Sequence, residues 1–164
     1  MLTKLKAFVL MAIMIAFMVT QANAQQDLSF VTPDGQTVSL SGLRGKVVVL
    51  LFGGAHDPQC KDEFKALQSL AERYQNKGVS IYWVSVNSPA DANLKNPCGP
   101  TGSVIVLRDQ NQAGFKRYQG RQLPTIVVLD QQGQVHGQPR GGFNPNSDFV
   151  NDLAAVIDSL LNRK

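Results

Sequence analysis

The sequence is poor in cysteine and in long apolar runs. Its 164 residues contain only two cysteines, Cys60 and Cys98. The apolar run near the start, residues 7–19, has 13 residues, whereas a helix that spans a bilayer needs about 20. No cysteine directly follows the Ala-Asn-Ala segment at residues 22–24. We therefore expect neither a lipid anchor at that point nor a stable membrane span.

The sequence also lacks a strong charge of either sign. Beyond residue 24 it carries fourteen basic and twelve acidic side chains, a net charge of +2. This charge is small and dispersed, and so gives no indication of nucleic-acid binding. Gly53 and Gly54 are not followed by the Gly-Lys-Ser/Thr of a phosphate-binding loop, and we read them as a flexible strand exit.

The first 24 residues have the pattern of a secretory signal peptide. Lys4 and Lys6 precede the apolar run, and Ala22-Asn23-Ala24 is a small-residue cleavage signal. We expect the mature chain to comprise residues 25–164, a single domain in the periplasm or outside the cell. An uncleaved membrane anchor is the alternative.

Strand patterns alternate with helix patterns along the mature chain. Asp34-Gly35 separates two short β-prone segments and predicts a hairpin. Further strands are predicted at residues 46–52, 79–86, 104–109 and 125–130, and residues 131–142 predict a turn into an antiparallel edge strand. This alternation favours an α/β fold with a parallel or mixed sheet that is covered on both faces.

Two amphipathic helices are predicted. The first shows apolar residues at helical spacing from Cys60 to Tyr74, with Asp57 as its N-cap and Pro58 at its first position. The second covers residues 147–162, and a short helical piece is predicted around residues 112–118. We expect Trp83, in a buried strand, to pack in the core.

The order of these elements resembles the thioredoxin-like TlpA/ResA group of secreted bacterial thiol-disulfide proteins. The resemblance rests on "LRGKVVVLLFGG", "GVSIYWVSVN" and "RQLPTIVVLDQQGQV", and it extends from about residue 28 to residue 161. It implies a thioredoxin fold, with a central mixed sheet flanked by helices and an N-terminal β-hairpin extension. It also implies that Pro124 is cis and faces the cysteine motif, although the residues alone leave a trans Pro124 open.

The chain departs from the family's W-C-x-x-C motif. On that pattern His56 takes the tryptophan position, Asp57 the first cysteine and Cys60 the second. The resemblance implies that the first cysteine is the nucleophile and the second the resolving residue. Asp57 therefore excludes ordinary exchange within the motif.

Cys60 is a poor candidate for a lone nucleophile. A helix N-terminus stabilises a thiolate by up to about 2 kcal/mol. Repulsion from a carboxylate about 4 Å away amounts to roughly 1 to 4 kcal/mol. We therefore expect a reduced Cys60 to remain a thiol, and Asp57 to cap the helix by accepting the Cys60 N–H.

Cys98 offers a different partner for Cys60. The strand at residues 79–86 should lie parallel to the strand at residues 46–52, so the loops that leave them emerge at one sheet edge. We therefore expect a Cys60–Cys98 disulfide. The alternative is a buried Cys60 and an exposed Cys98 that pairs with another molecule.

Three functions remain open. The first is altered thiol-disulfide oxidoreductase chemistry, with Cys60, Cys98, Asp57 and Pro124 as the site. The second is a redox-inactive module that binds a protein or peptide partner beside the Pro124 loop. Peroxide reduction is disfavoured because Asp57 and Gly53 replace the Thr and Pro of peroxiredoxins. In addition, Arg121 does not match the position near Pro124 at which peroxiredoxins carry an Arg.

We expect no cofactor and no metal. His56, Asp57 and Cys60 lack a second ligand pair, and His136 is predicted to be a solvated turn residue.

Overall fold

The computed structural model describes residues 27–55, 57–86, 95, 97–144 and 148–163. Seven strands form one mixed sheet in the order β2-β1-β5-β4-β3-β6-β7. The strands are β1 (Ser29–Val31), β2 (Thr37–Ser39), β3 (Val47–Gly53), β4 (Val79–Ser85), β5 (Ile105–Arg108), β6 (Thr125–Leu129) and β7 (Arg140–Gly141). The helices are α1 (Cys60–Arg73), α2 (Ala113–Arg117) and α3 (Phe149–Leu161), with 3₁₀ turns at Ser41–Leu43 and Gln110–Gln112.

The centre of the sheet is parallel, as predicted. Strand β4 pairs in parallel with β3 over seven residue pairs and with β5 over four. Strand β6 pairs antiparallel with β3, and β7 pairs antiparallel with β6. Strands β1 and β2 form the predicted N-terminal hairpin, and β1 adds antiparallel to β5. The carboxyl ends of β3, β4 and β5 therefore meet at one edge of the sheet.

Two apolar cores cover the two faces of the sheet. Helices α1 and α3 pack on one face, where Trp83 is fully buried, as predicted. The second face packs against the N-terminal hairpin and the region of α2 through Phe30, Phe52 and Tyr118. Strand β3 is buried along its whole length because both of its faces are covered.

Helices α1 and α3 are also tied together by polar contacts. The Tyr74 hydroxyl lies 3.0 Å from the Ala154 carbonyl oxygen and 2.8 Å from Asp158 Oδ1. Arg73 forms an ion pair with Asp158 at 3.3 Å. Burial and the neighbouring Asp158 carboxylate raise the pKa of Tyr74 to about 12, so its hydroxyl keeps its proton at neutral pH.

The predicted signal peptide, residues 1–24, lies outside the described residues. So does Ser147, the predicted first residue of the last helix; Asp148 is the N-cap of α3. Within the described ranges, no helix is long and apolar enough to cross a membrane.

Candidate functional site

The segment between β3 and α1 forms a tight turn around Asp57. The Asp57 N–H donates to the Gly54 carbonyl at 3.0 Å, and the Cys60 N–H donates to the Asp57 carbonyl at 3.0 Å. The Asp57 side chain accepts the Gln59 N–H at 2.9 Å. His56, at the family's tryptophan position, lies outside the described residues.

The predicted helix cap at Asp57 is wrong. Helix α1 begins at Cys60, and its N-cap residue, Gln59, makes no side-chain capping bond. Asp57 and Pro58 precede the helix because the chain first makes the turn that joins the Asp57 carbonyl to the Cys60 N–H. The Asp57 carboxylate stabilises this turn through the Gln59 N–H, a common role for aspartate.

The two cysteines form a disulfide, as the shared sheet edge predicts. Cys60 and Cys98 are bonded, with their Cα atoms 5.7 Å apart, a separation typical of disulfides. Cys60 is 2 % exposed, whereas Cys98 lies on a loop and is only half-buried. The alternative in which both cysteines are unpaired within the chain is therefore wrong for this structure.

The loop before β6 lies against the same turn. The Leu123–Pro124 peptide bond is cis. A Cβ atom placed on Gly54 would lie 3.7 Å from Leu123 Cδ1, so this loop faces the exit from β3. The Pro124 carbonyl accepts the Gly142 N–H at 2.9 Å. Pro124 itself is buried, and its neighbour Leu123 makes the contact with the turn that contains Asp57.

A buried carboxyl group lies on α1 one helical turn after Cys60. Glu63 is 0 % exposed and follows Cys60 by three residues, on the same face of α1. Its Oε2 atom accepts the Trp83 indole N–H at 3.0 Å, while its Oε1 atom has no hydrogen-bond partner. Burial raises the pKa of Glu63 to about 7; the Trp83 hydrogen bond opposes this shift and the Asp57 charge adds to it. Glu63 can therefore gain or lose a proton near neutral pH.

Gly53 makes this burial possible. A Cβ atom at Gly53 would lie 2.6 Å from Trp83 Nε1 and 2.9 Å from Glu63 Oε2. Gly53 is thus at the predicted strand exit, where it also has a packing role that the sequence pattern did not predict. It is the last residue of β3, and the absence of a side chain there leaves room for the Glu63–Trp83 pair.

His136 lies in the hairpin between β6 and β7, where its backbone N–H donates to the Val128 carbonyl at 2.8 Å. The part of the chain that the structure describes contains no group of three side chains arranged to hold a metal ion.

Comparison with known proteins identifies the family. Residues 20–157 match the Redoxin family. The chain belongs to the Redoxin family. It is 29% identical to the thiol-disulfide oxidoreductase ResA of Halalkalibacterium halodurans over 122 residues, which are 73% of this chain and 69% of that protein. It is 31% identical to ResA of Bacillus thuringiensis over 110 residues, 65% of this chain and 63% of that protein.

The fold of this Redoxin protein is that of a solved thiol-disulfide protein. A Chlorobium tepidum structure, assigned as a thiol:disulfide interchange protein DsbE, superposes with a TM-score of 0.73 at 23% identity. The match covers 83% of this chain and 94% of that one. The predicted TlpA/ResA membership and thioredoxin fold are confirmed.

Glu63 is the site residue that sequence reasoning missed in this Redoxin domain. A signal for it exists, because Glu63 lies within the buried stripe that includes Cys60, Phe64 and Leu67. A carboxyl group at such a position is buried when the helix packs, and buried carboxyl groups cluster at functional sites.

Proposed function

We propose that this protein is an extracytoplasmic thiol-disulfide oxidoreductase whose redox pair is Cys60 and Cys98. The observation that carries the proposal is their disulfide, which joins the start of α1 to a half-buried loop. Membership of the Redoxin family and similarity to ResA proteins support the reaction class. Asp57 occupies the position of the usual nucleophile, so Cys98 supplies the second sulfur from a distant part of the chain.

The unequal burial of the two sulfurs sets the direction of attack. A partner thiolate attacks Cys98, because Cys60 is 2 % exposed and Cys98 is half-buried. The Cys60–Cys98 bond breaks, a partner–Cys98 disulfide forms, and the electron pair leaves on the Cys60 sulfur. A second partner thiolate then attacks the partner sulfur of this mixed disulfide and releases Cys98 as a thiolate. The partner is oxidised and the protein gains two electrons.

Glu63 handles the proton that this reaction requires. Cys60 leaves as a thiolate in an almost fully buried position, and an unpaired buried charge is unfavourable. Glu63 lies one helical turn away and, with a pKa of about 7, holds a proton over part of the physiological pH range. Its carboxyl group transfers that proton to the Cys60 sulfur and becomes a carboxylate. The reverse transfer accompanies oxidation.

A second function has an observation of its own. The disulfide closes a segment of 38 residues and has one sulfur in the apolar core, an arrangement also suited to a structural bond. In that case the protein is a redox-inactive module that binds an extended peptide at the surface between Asp57 and Pro124.

Titration in glutathione buffers separates these functions. The oxidised protein should convert reversibly to a form with two free thiols, counted by alkylation and mass spectrometry. The Cys60→Ser variant should trap partners as mixed disulfides through the accessible Cys98, whereas the matched Cys98→Ser variant should trap few. A disulfide that stays intact across the glutathione range, with no trapping by either variant, would leave the binding module as the function.

The location of the protein is tested separately. If residues 1–24 are a signal peptide, the protein isolated from cells should begin at Gln25 and appear in the periplasm or the medium. N-terminal sequencing and fractionation measure this. A membrane-bound form that still begins at Met1 would contradict it.

A further inference from the structure

Three buried side-chain polar atoms among the described residues have no hydrogen-bond partner. They are Oε1 of Glu63, Oγ of Ser85 and Nε of Arg108. Glu63 and Ser85 are each 0 % exposed, and Arg108 is half-buried. A buried polar atom that lacks a hydrogen-bond partner destabilises the folded protein. Each of these three atoms therefore requires an explanation.

All three atoms belong to the carboxyl edge of the sheet, on the face that α1 covers. Trp83 and Val106 are paired in register between β4 and β5, and both lie in the core beneath α1 and α3. Ser85 and Arg108 are also paired, two residues further along, and so point to the same face.

Glu63 reaches this row of residues through Gly53. Gly53 is paired in register with Ser85 on the neighbouring strand, and adjacent strands are about 4.8 Å apart. Glu63 Oε2 lies 2.9 Å from the position that a Gly53 Cβ would occupy. The residues that carry the three unpartnered atoms thus lie in one row, with Glu63 over Gly53 on β3, Ser85 on β4 and Arg108 on β5.

The chemistry of these atoms matches that of a water site. A carboxyl oxygen, a hydroxyl group and a guanidinium N–H offer donors and acceptors together. Buried waters typically make about three hydrogen bonds to buried polar groups that have no other partner. The half-buried Arg108 connects this site to the outside of the protein.

We propose that Ser85 and Arg108 bind buried water and form the route by which protons reach and leave the Glu63 carboxyl group. This inference rests on the proposed function, in which Glu63 gives its proton to the Cys60 sulfur and must regain one. A buried water takes up a proton from solvent and passes one on to the Ser85 hydroxyl, which passes its own to a water bound beside Glu63, and that water protonates the carboxylate. Arg108 keeps its proton and holds the water by donating from Nε. Ser85 and Arg108 are positioning residues.

Few other charges bear on Glu63. The Asp57 carboxylate, in the turn before α1, opposes ionisation of Glu63, and Arg108 is the charged side chain at the β5 end of the row. Strand β3 carries no charged residue. The α3 residue Asp158 is bonded to Arg73 and Tyr74, at the far end of α1. If substitution of Ser85 or Arg108 changes the pKa of Glu63, the change can therefore be assigned to the row formed by these residues.

A crystal structure that resolves ordered water tests the site directly. At least one water should bond two or more of the three atoms, and it should be lost or displaced in Ser85→Ala. Direct pairing of the atoms without water would overturn the proposal. The pKa of Glu63, followed by carbon NMR, should rise in Ser85→Ala and in Arg108→Met, because each variant removes a group that holds the water next to the carboxylate. An unchanged pKa in both variants would also overturn it.

Reduction of the disulfide by dithiothreitol in stopped-flow tests the route. General acid–base catalysis contributes about 10²- to 10⁴-fold to a rate. Ser85→Ala should remove part of this contribution and slow reduction by about tenfold. It should also change the pH profile of the reduction rate and its solvent deuterium isotope effect. In a Glu63→Gln background Ser85→Ala should have no further effect.

Two controls match these variants. Ser80→Ala alters the opposite end of β4, and Arg44→Met alters an exposed arginine; both should behave as the parent. A kinetic effect of Ser85→Ala that persists in Glu63→Gln would overturn the route. Dithiothreitol needs no biological partner, so the proton route can be tested even if the proposed function fails. Failure of the proposed function would be seen separately, as a disulfide that does not react with glutathione or with partner proteins.

Discussion

At the scale of single residues, the site depends on two carboxyl groups with opposite surroundings. Asp57 is partly exposed in a turn, and its side chain accepts one backbone N–H. Glu63 is buried beneath the sheet edge, and its pKa rises to about 7. Asp57 therefore shapes the chain before the helix, while Glu63 is a buried group that titrates near neutral pH, one helical turn after Cys60.

The turn at Asp57 makes a gain of function possible. The hydrogen bond from the Cys60 N–H to the Asp57 carbonyl defines a turn, and the ends of such a turn lie within about 7 Å, near the range that a disulfide needs. We expect the parent protein to reduce insulin poorly and Asp57→Cys to reduce it faster, with Cys98 released as a free thiol. Insulin turbidity and thiol mapping measure both.

Asp57→Ser is the matched control for this gain, since it removes the charge without adding a thiol. If the parent protein or Asp57→Ser already matches an ordinary thioredoxin in the insulin assay, the interpretation of Asp57 as a lost nucleophile is wrong.

The buried Glu63 predicts a dependence of stability on pH. Its pKa is raised from 4.5 to about 7, so the folded protein retains a proton that the unfolded chain releases. The stabilising effect of this proton is complete below about pH 4.5 and is lost as the pH rises through 7. At about 1.4 kcal/mol per pKa unit, the free energy of unfolding should fall by up to about 3 kcal/mol over this range.

Glu63→Gln should remove this dependence, because glutamine does not titrate and can still accept the Trp83 N–H. Urea denaturation between pH 4.5 and 8 gives the two profiles. Parallel profiles for the parent protein and the variant would show that Glu63 does not titrate in this range.

At the scale of elements, the junction of β3 and α1 brings the site together. Strand β3 ends at Gly53, α1 begins at Cys60, and the turn between them contains Asp57. The helix places Cys60 and Glu63 on the face that packs against the sheet. Gly53 lies where this face of the helix meets the sheet, and the packing there leaves it no room for a side chain of its own.

Gly53→Ala should therefore disturb the junction. Its Cβ would lie 2.6 Å from Trp83 Nε1 and 2.9 Å from Glu63 Oε2, and such overpacking typically costs about 1 to 3 kcal/mol. Gly42→Ala is the control, since the nearest atom to its Cβ would be Ser39 Oγ at 3.5 Å. Urea denaturation compares the two; equal stability of both variants would contradict the close packing at Gly53.

At the scale of the whole molecule, one covalent bond joins distant parts of the chain over a sheet with two cores. The disulfide closes a 38-residue separation that includes α1 and β4. The two cores include residues from the central strands and from α1 and α3, and Phe115 of α2 packs against the second core. We therefore expect the reduced protein to remain folded.

Reduction should nevertheless lower stability. Opening a loop of this length increases the freedom of the unfolded chain, which corresponds to about 2 to 4 kcal/mol of stability. Urea denaturation with and without reductant should show this loss, and Cys98→Ser should show it without reductant. A reduced protein that is unfolded in the absence of urea would indicate a bond required for folding rather than for redox exchange.

The sequence by itself determined the order of the elements, the family and the meeting of Cys60 and Cys98 at one edge. Apolar periodicity reports which positions must be buried, and parallel strands place their following loops together. Only the tertiary structure decided that the helix begins at Cys60, that Gly53 admits Glu63 and Trp83, and that Ser85 and Arg108 share their row. The helix start depends on the local hydrogen bonds of the turn at Asp57, which residue types alone do not settle. The other two features depend on distances between segments far apart in the chain, which local patterns of hydrophobicity and turn residues do not encode.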